Sequence, residues 1–257
     1  PIISAAGIET AVILTAVLST HTGGISGYTF RDLTEDIIPI AEHWKSLNLE
    51  FDGFYTGFLG SFEQIDIVTE VCEKLRGNKT LLIVDPVMAD NGVLYKIFPP
   101  NFPEGMRKLC SKANVIIPNI TEAVFLLGED YKEGPYTRDY IENLLRRLSA
   151  LGPKQVVLTG VYFDSGSLGA ASYDAETGEI SYSFEKKIDG YFHGTGDVFG
   201  SALVAALLKG KPLPFATNTA VEFTVKSIER TKQAGTDIRF GVNFEEGLLE
   251  LAKALSE

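Results

Sequence analysis

An α/β fold with a mostly parallel central sheet, covered by helices on both faces, is what this sequence predicts, and three observations predict it. Short runs that are apolar at every position alternate with amphipathic helical stretches, the pattern of strands buried on both faces. The 257 residues are 45% hydrophobic and 22% charged, enough to bury a sizeable core. Polar and glycine-containing segments follow directly after the apolar runs, where sheets of this kind place their ligands.

The elements follow in order. Pro1 to Gly7 reads as the end of a helix and Thr10 to Leu18 as the strand after it, so the fold begins in mid-pattern. A first strand, its turn and the opening of that helix are therefore expected before Pro1, a unit that needs about 20 residues. Ser61-Phe62-Glu63-Gln64 reads as a capping box, followed by Ile65, Val68, Val71, Cys72 and Leu75 on one helical face and Gly77 as the stop. Thr80 to Val84 is a continuously apolar strand ending at Asp85, and Asn114 to Ile117 is the next. Asp139 to Leu151 is a helix with Ile141, Leu144, Leu145 and Leu148 inward, and Val156 to Leu158 is another buried strand. Gly169 to Phe184 departs from the alternation: two strand-like runs flank Glu176-Thr177-Gly178-Glu179, an antiparallel hairpin. Val198 to Leu208 is a strongly apolar helix. With no repeat, low-complexity tract or linker, residues 1–257 read as one domain.

Charge and composition exclude several classes of function. Lys plus Arg number 23 against 34 Asp plus Glu, a formal net charge of −11, which argues against nucleic acid or an anionic membrane surface as a partner. A phosphorylated ligand must then be held by backbone N–H groups, a metal ion and a few local cations. No apolar run approaches the roughly 20 residues of a membrane span, and no signal-peptide pattern opens the chain. Cys72 and Cys110 lack metal-ligand spacing, so a reduced, cytoplasmic protein is expected.

Gly194-Thr195-Gly196-Asp197 is the most informative stretch. Two glycines let the backbone approach a ligand, and the following helix presents unpaired N–H groups with partial positive charge, a setting for phosphate. A carboxylate placed there would repel a phosphate that was merely bound, so Asp197 suggests a proton acceptor. An ordinary helix start with Asp in its first turn has the same local pattern. Other candidates fall just after strand-like runs: His21 and Thr22, Gly57 and Gly60, Asp85 and Asp90, Asn119 and Glu122, and Thr159. Each has a plainer reading: Asp90-Asn91-Gly92 as a turn, Thr121-Glu122 as a helix start, His21 as a hydrogen-bonded histidine. Their joint placement at one sheet edge favours function.

Read together, Thr56-Gly57-Phe58-Leu59-Gly60-Ser61, the segment Asp85 to Gly92 (Asp-Pro-Val-Met-Ala-Asp-Asn-Gly), Pro118-Asn119-Ile120-Thr121-Glu122-Ala123 and Gly194-Thr195-Gly196-Asp197 resemble the ordered motifs of pyridoxal kinases, within the ribokinase-like superfamily. The resemblance runs from Pro1 to about Leu208. It implies a three-layer αβα fold and ATP-dependent phosphorylation of the 5′-hydroxymethyl group of a B6 vitamer. By resemblance, Asp197 is the general base, and the backbone of Gly194, Thr195 and Gly196 holds the charge of the transferring phosphoryl group. Asn119 and Glu122 act on Mg²⁺ largely through water, Asp85 orders the same region, and Thr159 lies near the nucleotide phosphates. Thr22, Asp90 and Tyr95 surround the pyridine ring, with Leu18 and Phe58 as apolar and aromatic walls.

Departures from the family pattern carry expectations of their own. Phe58 stands where a tyrosine is frequent, Ala89 replaces a glycine before Asp90, and Ile117 replaces a common threonine. The last change puts a K⁺ requirement in doubt. The first strand, which in the family contributes to the ring-nitrogen side of the pocket, is not in the sequence. Kinases of hydroxymethylpyrimidine commonly carry cysteine at the position of Asp197, which weights the substrate toward vitamin B6. A hydroxymethylpyrimidine (phosphate) kinase and a non-catalytic ATP- or B6-binding protein are the alternatives, and a homodimer follows by analogy alone.

Overall fold

The computed structural model describes residues 1–21 and 25–256. In chain order the elements are helix α1 (Ile2–Ala5), strands β1 (Ala16–Leu18) and β2 (Phe30–Asp32), α2 (Thr34–Ser46), β3 (Gly53–Thr56), α3 (Phe62–Leu75), β4 (Leu81–Val84), β5 (Ala89–Asp90), β6 (Val93–Leu94), α4 (Phe102–Cys110), β7 (Val115–Ile116) and α5 (Ile120–Leu127). There follow α6 (Arg138–Ser149), β8 (Gln155–Val161), β9 (Ser167–Asp174), β10 (Ile180–Lys186), α7 (Thr195–Leu208), α8 (Leu213–Ala234) and α9 (Leu248–Ser256). A six-stranded, mostly parallel sheet in the order β10-β9-β8-β7-β4-β3 is flanked by helices, the α/β architecture expected. By its contacts the chain divides into two compact units, Ala11–Glu133 with Arg147–Val156, and Pro1–Thr10 with Gly134–Arg146 and Val157–Glu257.

In the first unit, β3, β4, β7 and the start of β8 pair in parallel, with Thr56 opposite Val84, Ile83 opposite Val115 and Ile116 opposite Val156. Leu82, Ile83 and Val84 are buried, which accounts for an apolar residue at every position of β4. Helices α2 and α3 pack through Ile37, Ala41, Val71 and Leu75, with Ile13 and Phe54 against the same cluster. The Ser61 hydroxyl caps α3 by accepting from Gln64 N–H, and Ile65, Val71, Cys72 and Leu75 are buried as the periodicity predicts, with Val68 half-buried. The capping box is corrected in one bond, because the Gln64 carbonyl accepts from Gly60 N–H at 2.7 Å, one residue before the cap.

The strand expected over Thr10–Leu18 is also corrected. Only Ala16–Leu18 forms a strand, pairing antiparallel with Phe30–Asp32 in a separate two-stranded arm. A near-continuous apolar run with β-branched residues favours an extended chain, but a strand needs a ladder partner, and among the described residues only the last three find one. Val12 and Leu14 are exposed on the extended approach to this arm.

In the second unit, β9 and β10 form the expected hairpin, with Ala171 opposite Tyr182. The α6 guanidinium of Arg138 lies over the rings of Phe163 and Tyr182, 4.9 and 4.7 Å from their centroids, and so fixes the helix start to the hairpin. Helix α7 is buried on most of its circumference, from Val198 to Leu207, because α1, α8 and α9 all pack on it. Among the described residues no helix is long and apolar enough to cross a membrane.

Candidate active site

In the first unit the site is built on two strand ends. Strand β4 delivers Asp85, whose backbone N–H donates to Thr56 C=O and whose side chain accepts from the Tyr55 hydroxyl at 3.4 Å. Buried apolar residues hold β4 in place, so Asp85 is fixed at the sheet edge with only 8% exposure. After β7, Asn119 caps α5 in a complete capping box with Glu122. Asn119 Oδ1 accepts from Glu122 N–H at 2.9 Å, and Glu122 Oε2 accepts from Asn119 N–H at 2.9 Å. The other Glu122 oxygen reaches across to Met88 N–H at 3.1 Å, and Asn119 Nδ2 donates to Ala89 C=O at 2.8 Å. The first turn of α5 is thereby stitched to the segment after β4.

Glu122 is buried, and burial pushes its carboxyl well above the ordinary glutamate range; the charge of Asp85 adds to this, while backbone N–H groups of Asn119, Met88 and Ala89 oppose it. Two buried carboxylates that disfavour each other's charge suit a cation between them and the phosphates of a ligand. Both ends of the Asn119 amide are engaged with protein, and each Glu122 oxygen already accepts an N–H. Mg²⁺, which keeps several waters, fits this donor set better than a cation that demands a full protein cage. Among the described residues no group of three or more His, Cys, Asp and Glu side chains is arranged to hold a metal.

Asp90 ends β5 at the tight turn into β6, its carboxylate accepting from Asn91 N–H and Nδ2. Asn91 and Gly92 have φ of 50° and 76°, the left-handed pair of a two-residue hairpin. Gly92 N–H donates to Thr121 Oγ1, and a Cβ at Gly92 would lie 2.7 Å from a Tyr131 ring carbon. Gly92→Ala is expected to destabilise the protein by about 1–3 kcal/mol, through left-handed strain and displacement of Tyr131, read as a lower denaturant midpoint with an unchanged slope.

Phe58 and Tyr95 flank a common ring, Phe98, at centroid distances of 5.8 and 6.4 Å. Tyr95 also lines an open groove of about 540 Å³ with Phe98, Pro103, Arg107 and Phe125. Leu18 lies in β1 opposite Phe30, and His21 is exposed beyond that strand. Thr22 falls outside the described residues. The hydroxyls of Thr20 and Thr56 are buried without a hydrogen-bond partner among the described residues, a cost of about 1–3 kcal/mol each by the usual penalty.

In the second unit, Gly194 is the N-cap of α7 with φ 75°, a left-handed conformation that glycine adopts at no steric cost. Val198 N–H closes the first helical bond onto Gly194 C=O, so the N–H groups of Thr195, Gly196 and Asp197 precede the helical ladder. The Thr195 hydroxyl donates to Phe192 C=O at 3.2 Å and fixes the turn into the helix. A Cβ built on Gly196 would meet nothing within 4 Å, so the surface over this first turn is open. Solvent reaches Asp197, but surrounding protein displaces much of its water and raises its carboxyl pKa above the ordinary aspartate value. Thr159 is half-buried in β8 of the same unit.

Sequence reasoning missed the Tyr55 contact with Asp85, Phe98 as the ring common to Phe58 and Tyr95, and the Thr121 bond to Gly92. The Tyr55–Asp85, Phe58–Phe98 and Thr121–Gly92 contacts are long-range and have no local signature. Both cysteines are buried, and burial pushes the Cys72 thiol up to about 11, an inert setting.

The phosphomethylpyrimidine kinase family matches residues 2–241. The chain belongs to this family. A pyridoxine kinase of Bacillus subtilis is 32% identical over 187 residues, which is 70% of this chain and 65% of that relative, just under two thirds of its length. Among solved structures, the pyridoxal kinase of Lactobacillus plantarum has a TM-score of 0.89 at 30% identity, covering 98% of this chain and 89% of that one. A Bacteroides thetaiotaomicron protein, described provisionally as a phosphomethylpyrimidine kinase and crystallised with pyridoxal, has a TM-score of 0.92 at 36% identity, covering 98% of this chain and 88% of that one.

Proposed function

We propose that this protein transfers the γ-phosphoryl group of ATP to the 5′-hydroxymethyl group of a B6 vitamer. The observation that carries the reading is Asp197, a carboxylate with raised proton affinity in the first turn of a glycine-led helix. Relatives named as pyridoxine and pyridoxal kinases, and one crystallised with pyridoxal, support the choice of substrate.

Asp197 accepts the hydroxyl proton as that oxygen forms its bond to the γ-phosphorus, and the bond from phosphorus to the β–γ bridging oxygen breaks to release ADP. The backbone of Gly194, Thr195 and Gly196 donates to the equatorial oxygens, where negative charge spreads in the transition state. Mg²⁺, when bound, neutralises phosphate charge. Asp85 and Glu122 would hold it through water, and Asn119 would keep Glu122 and the Met88–Ala89 backbone in register. Thr159 contributes near the nucleotide phosphates. Leu18, Thr22, Phe58, Asp90 and Tyr95 surround the pyridine. In this reading residues 1–257 are a single kinase domain, in a cytoplasmic homodimer.

The test is ATP-dependent formation of pyridoxal 5′-phosphate, with pyridoxamine and hydroxymethylpyrimidine compared under equal conditions. Turnover of B6 vitamers in preference to the pyrimidine is expected. The family's description favours a second reading, a hydroxymethylpyrimidine phosphate kinase, and exclusive turnover of the pyrimidine would establish it. Binding of ATP and pyridoxal with no turnover would leave a sensor in place of an enzyme.

A further inference from the structure

The two-stranded arm of β1 and β2 has little of its own to hold it. Its strands are three residues each, Val17 is 49% exposed and Phe30 43% exposed, and a lone two-stranded ribbon is marginal in water. Its direction must be set at its root, and the root converges on one side chain. Gln64, in the first turn of α3, is 1% exposed. Its Nε2 donates to Thr15 C=O at 3.0 Å on the β1 side of the root, and to Thr34 Oγ1 at 2.9 Å on the β2 side, with Asp32 Oδ2 at 3.3 Å. Its Oε1 accepts from Gly60 N–H at 2.7 Å in the loop that carries Phe58. Thr15 Oγ1 donates to Phe58 C=O at 3.2 Å and closes the same junction.

A primary amide is the side chain this junction requires, because it needs donors on one side and an acceptor on the other. A carboxylate could serve Gly60 but would face the Thr15 carbonyl and the Asp32 carboxylate without a proton to give. An apolar side chain would leave Gly60 N–H without this acceptor and Thr15 C=O with Leu33 N–H as its remaining donor.

We propose that Gln64 is a positioning residue of the vitamer site, a latch that fixes the arm carrying Leu18 against the loop carrying Phe58. The assignment rests on the proposed function, in which Leu18 and Phe58 face the pyridine. The latch acts on substrate binding, since it touches neither the α7 start nor the Asp85–Glu122 pair.

The experiment compares the wild-type protein with Gln64→Glu and with the double variant Gln64→Glu/Asp32→Asn, in which an asparagine amide restores a donor toward the new carboxylate. Two readouts are taken: backbone hydrogen exchange, and steady-state kinetics with pyridoxal and ATP. For Gln64→Glu, exchange in Ala16–Leu18 and Phe30–Asp32 should accelerate about 10-fold or more while β4 is unchanged. The KM for pyridoxal should rise about 10-fold, with kcat and the KM for ATP within about 3-fold. The double variant should recover part of both effects, which a general loss of structure would not allow. If Gln64→Glu does not fold, Thr34→Val removes the acceptor of Gln64 on the β2 side together with the hydroxyl's bond to the Asp32 carboxylate, and should raise the pyridoxal KM by about 3-fold in the same pattern. Unchanged exchange in the arm overturns the latch, and faster exchange with an unchanged pyridoxal KM overturns its assignment to the vitamer site. Wild-type protein inactive on every B6 vitamer overturns the functional reading itself, a loss that precedes any substitution, and the vitamer assignment falls with it.

Discussion

Asp197→Asn lowers kcat by about 10²–10⁴-fold and leaves ATP affinity nearly unaltered, because asparagine keeps the shape of the side chain and cannot accept the proton. The pH dependence gives a second, independent signature. Crowding by protein raises the Asp197 carboxyl above its ordinary value of 3.8, so the acid limb of wild-type activity lies above that value, with turnover lost as pH falls through it. In the asparagine variant that limb should vanish from the residual rate. Stability runs the other way. A carboxyl whose pKa is raised by folding contributes stability that is fully present below its unfolded pKa and lost as pH rises through the folded one. At neutral pH the asparagine variant should therefore unfold at the same or a slightly higher temperature than wild type. Near-normal turnover in Asp197→Asn would remove the base from the mechanism.

The parts of the fold legible in the sequence are those set by local periodicity. Ile141, Leu144, Leu145 and Leu148 satisfy only a helical period, and all four are fully buried. The Asn91-Gly92 pair reads as a turn because both residues tolerate the left-handed backbone they adopt. The segment before Leu18 is less legible because extended conformation is local while a ladder partner is not, and the partner of Ala16–Leu18 is the distant segment Phe30–Asp32. In the candidate site, the Asn119–Glu122 cap is legible from spacing within one helical turn. The bond from Met88 N–H to Glu122 spans 34 residues and is invisible to any spacing rule. Gln64 shows the same limit, since its cap position is readable and its hold on Thr15, Asp32 and Thr34 is not.

Glu122→Gln should raise the Mg²⁺ concentration for half-maximal rate by about 10-fold or more, while the KM for pyridoxal moves within about 3-fold. Two opposed effects meet in this substitution. The amide keeps one acceptor but turns an N–H group toward Met88 N–H or Asn119 N–H, and an orphaned buried donor costs about 1–3 kcal/mol. The same change removes the negative charge that burial and Asp85 make unfavourable. The wild-type carboxyl is raised by folding, so its contribution to stability declines as pH climbs from the unfolded value of 4.5 through the raised one, and the glutamine variant should lack that decline. A divalent cation reverses the preference by favouring the ionised pair. Mg²⁺ together with ATP should thus raise the Tm of wild type more than that of the variant, a readout that does not depend on turnover. Asp85→Asn should shift the Mg²⁺ requirement in the same direction. A variant whose pyridoxal KM rises while its Mg²⁺ requirement stays fixed would place Glu122 on the substrate side, or leave it as the cap of α5 alone.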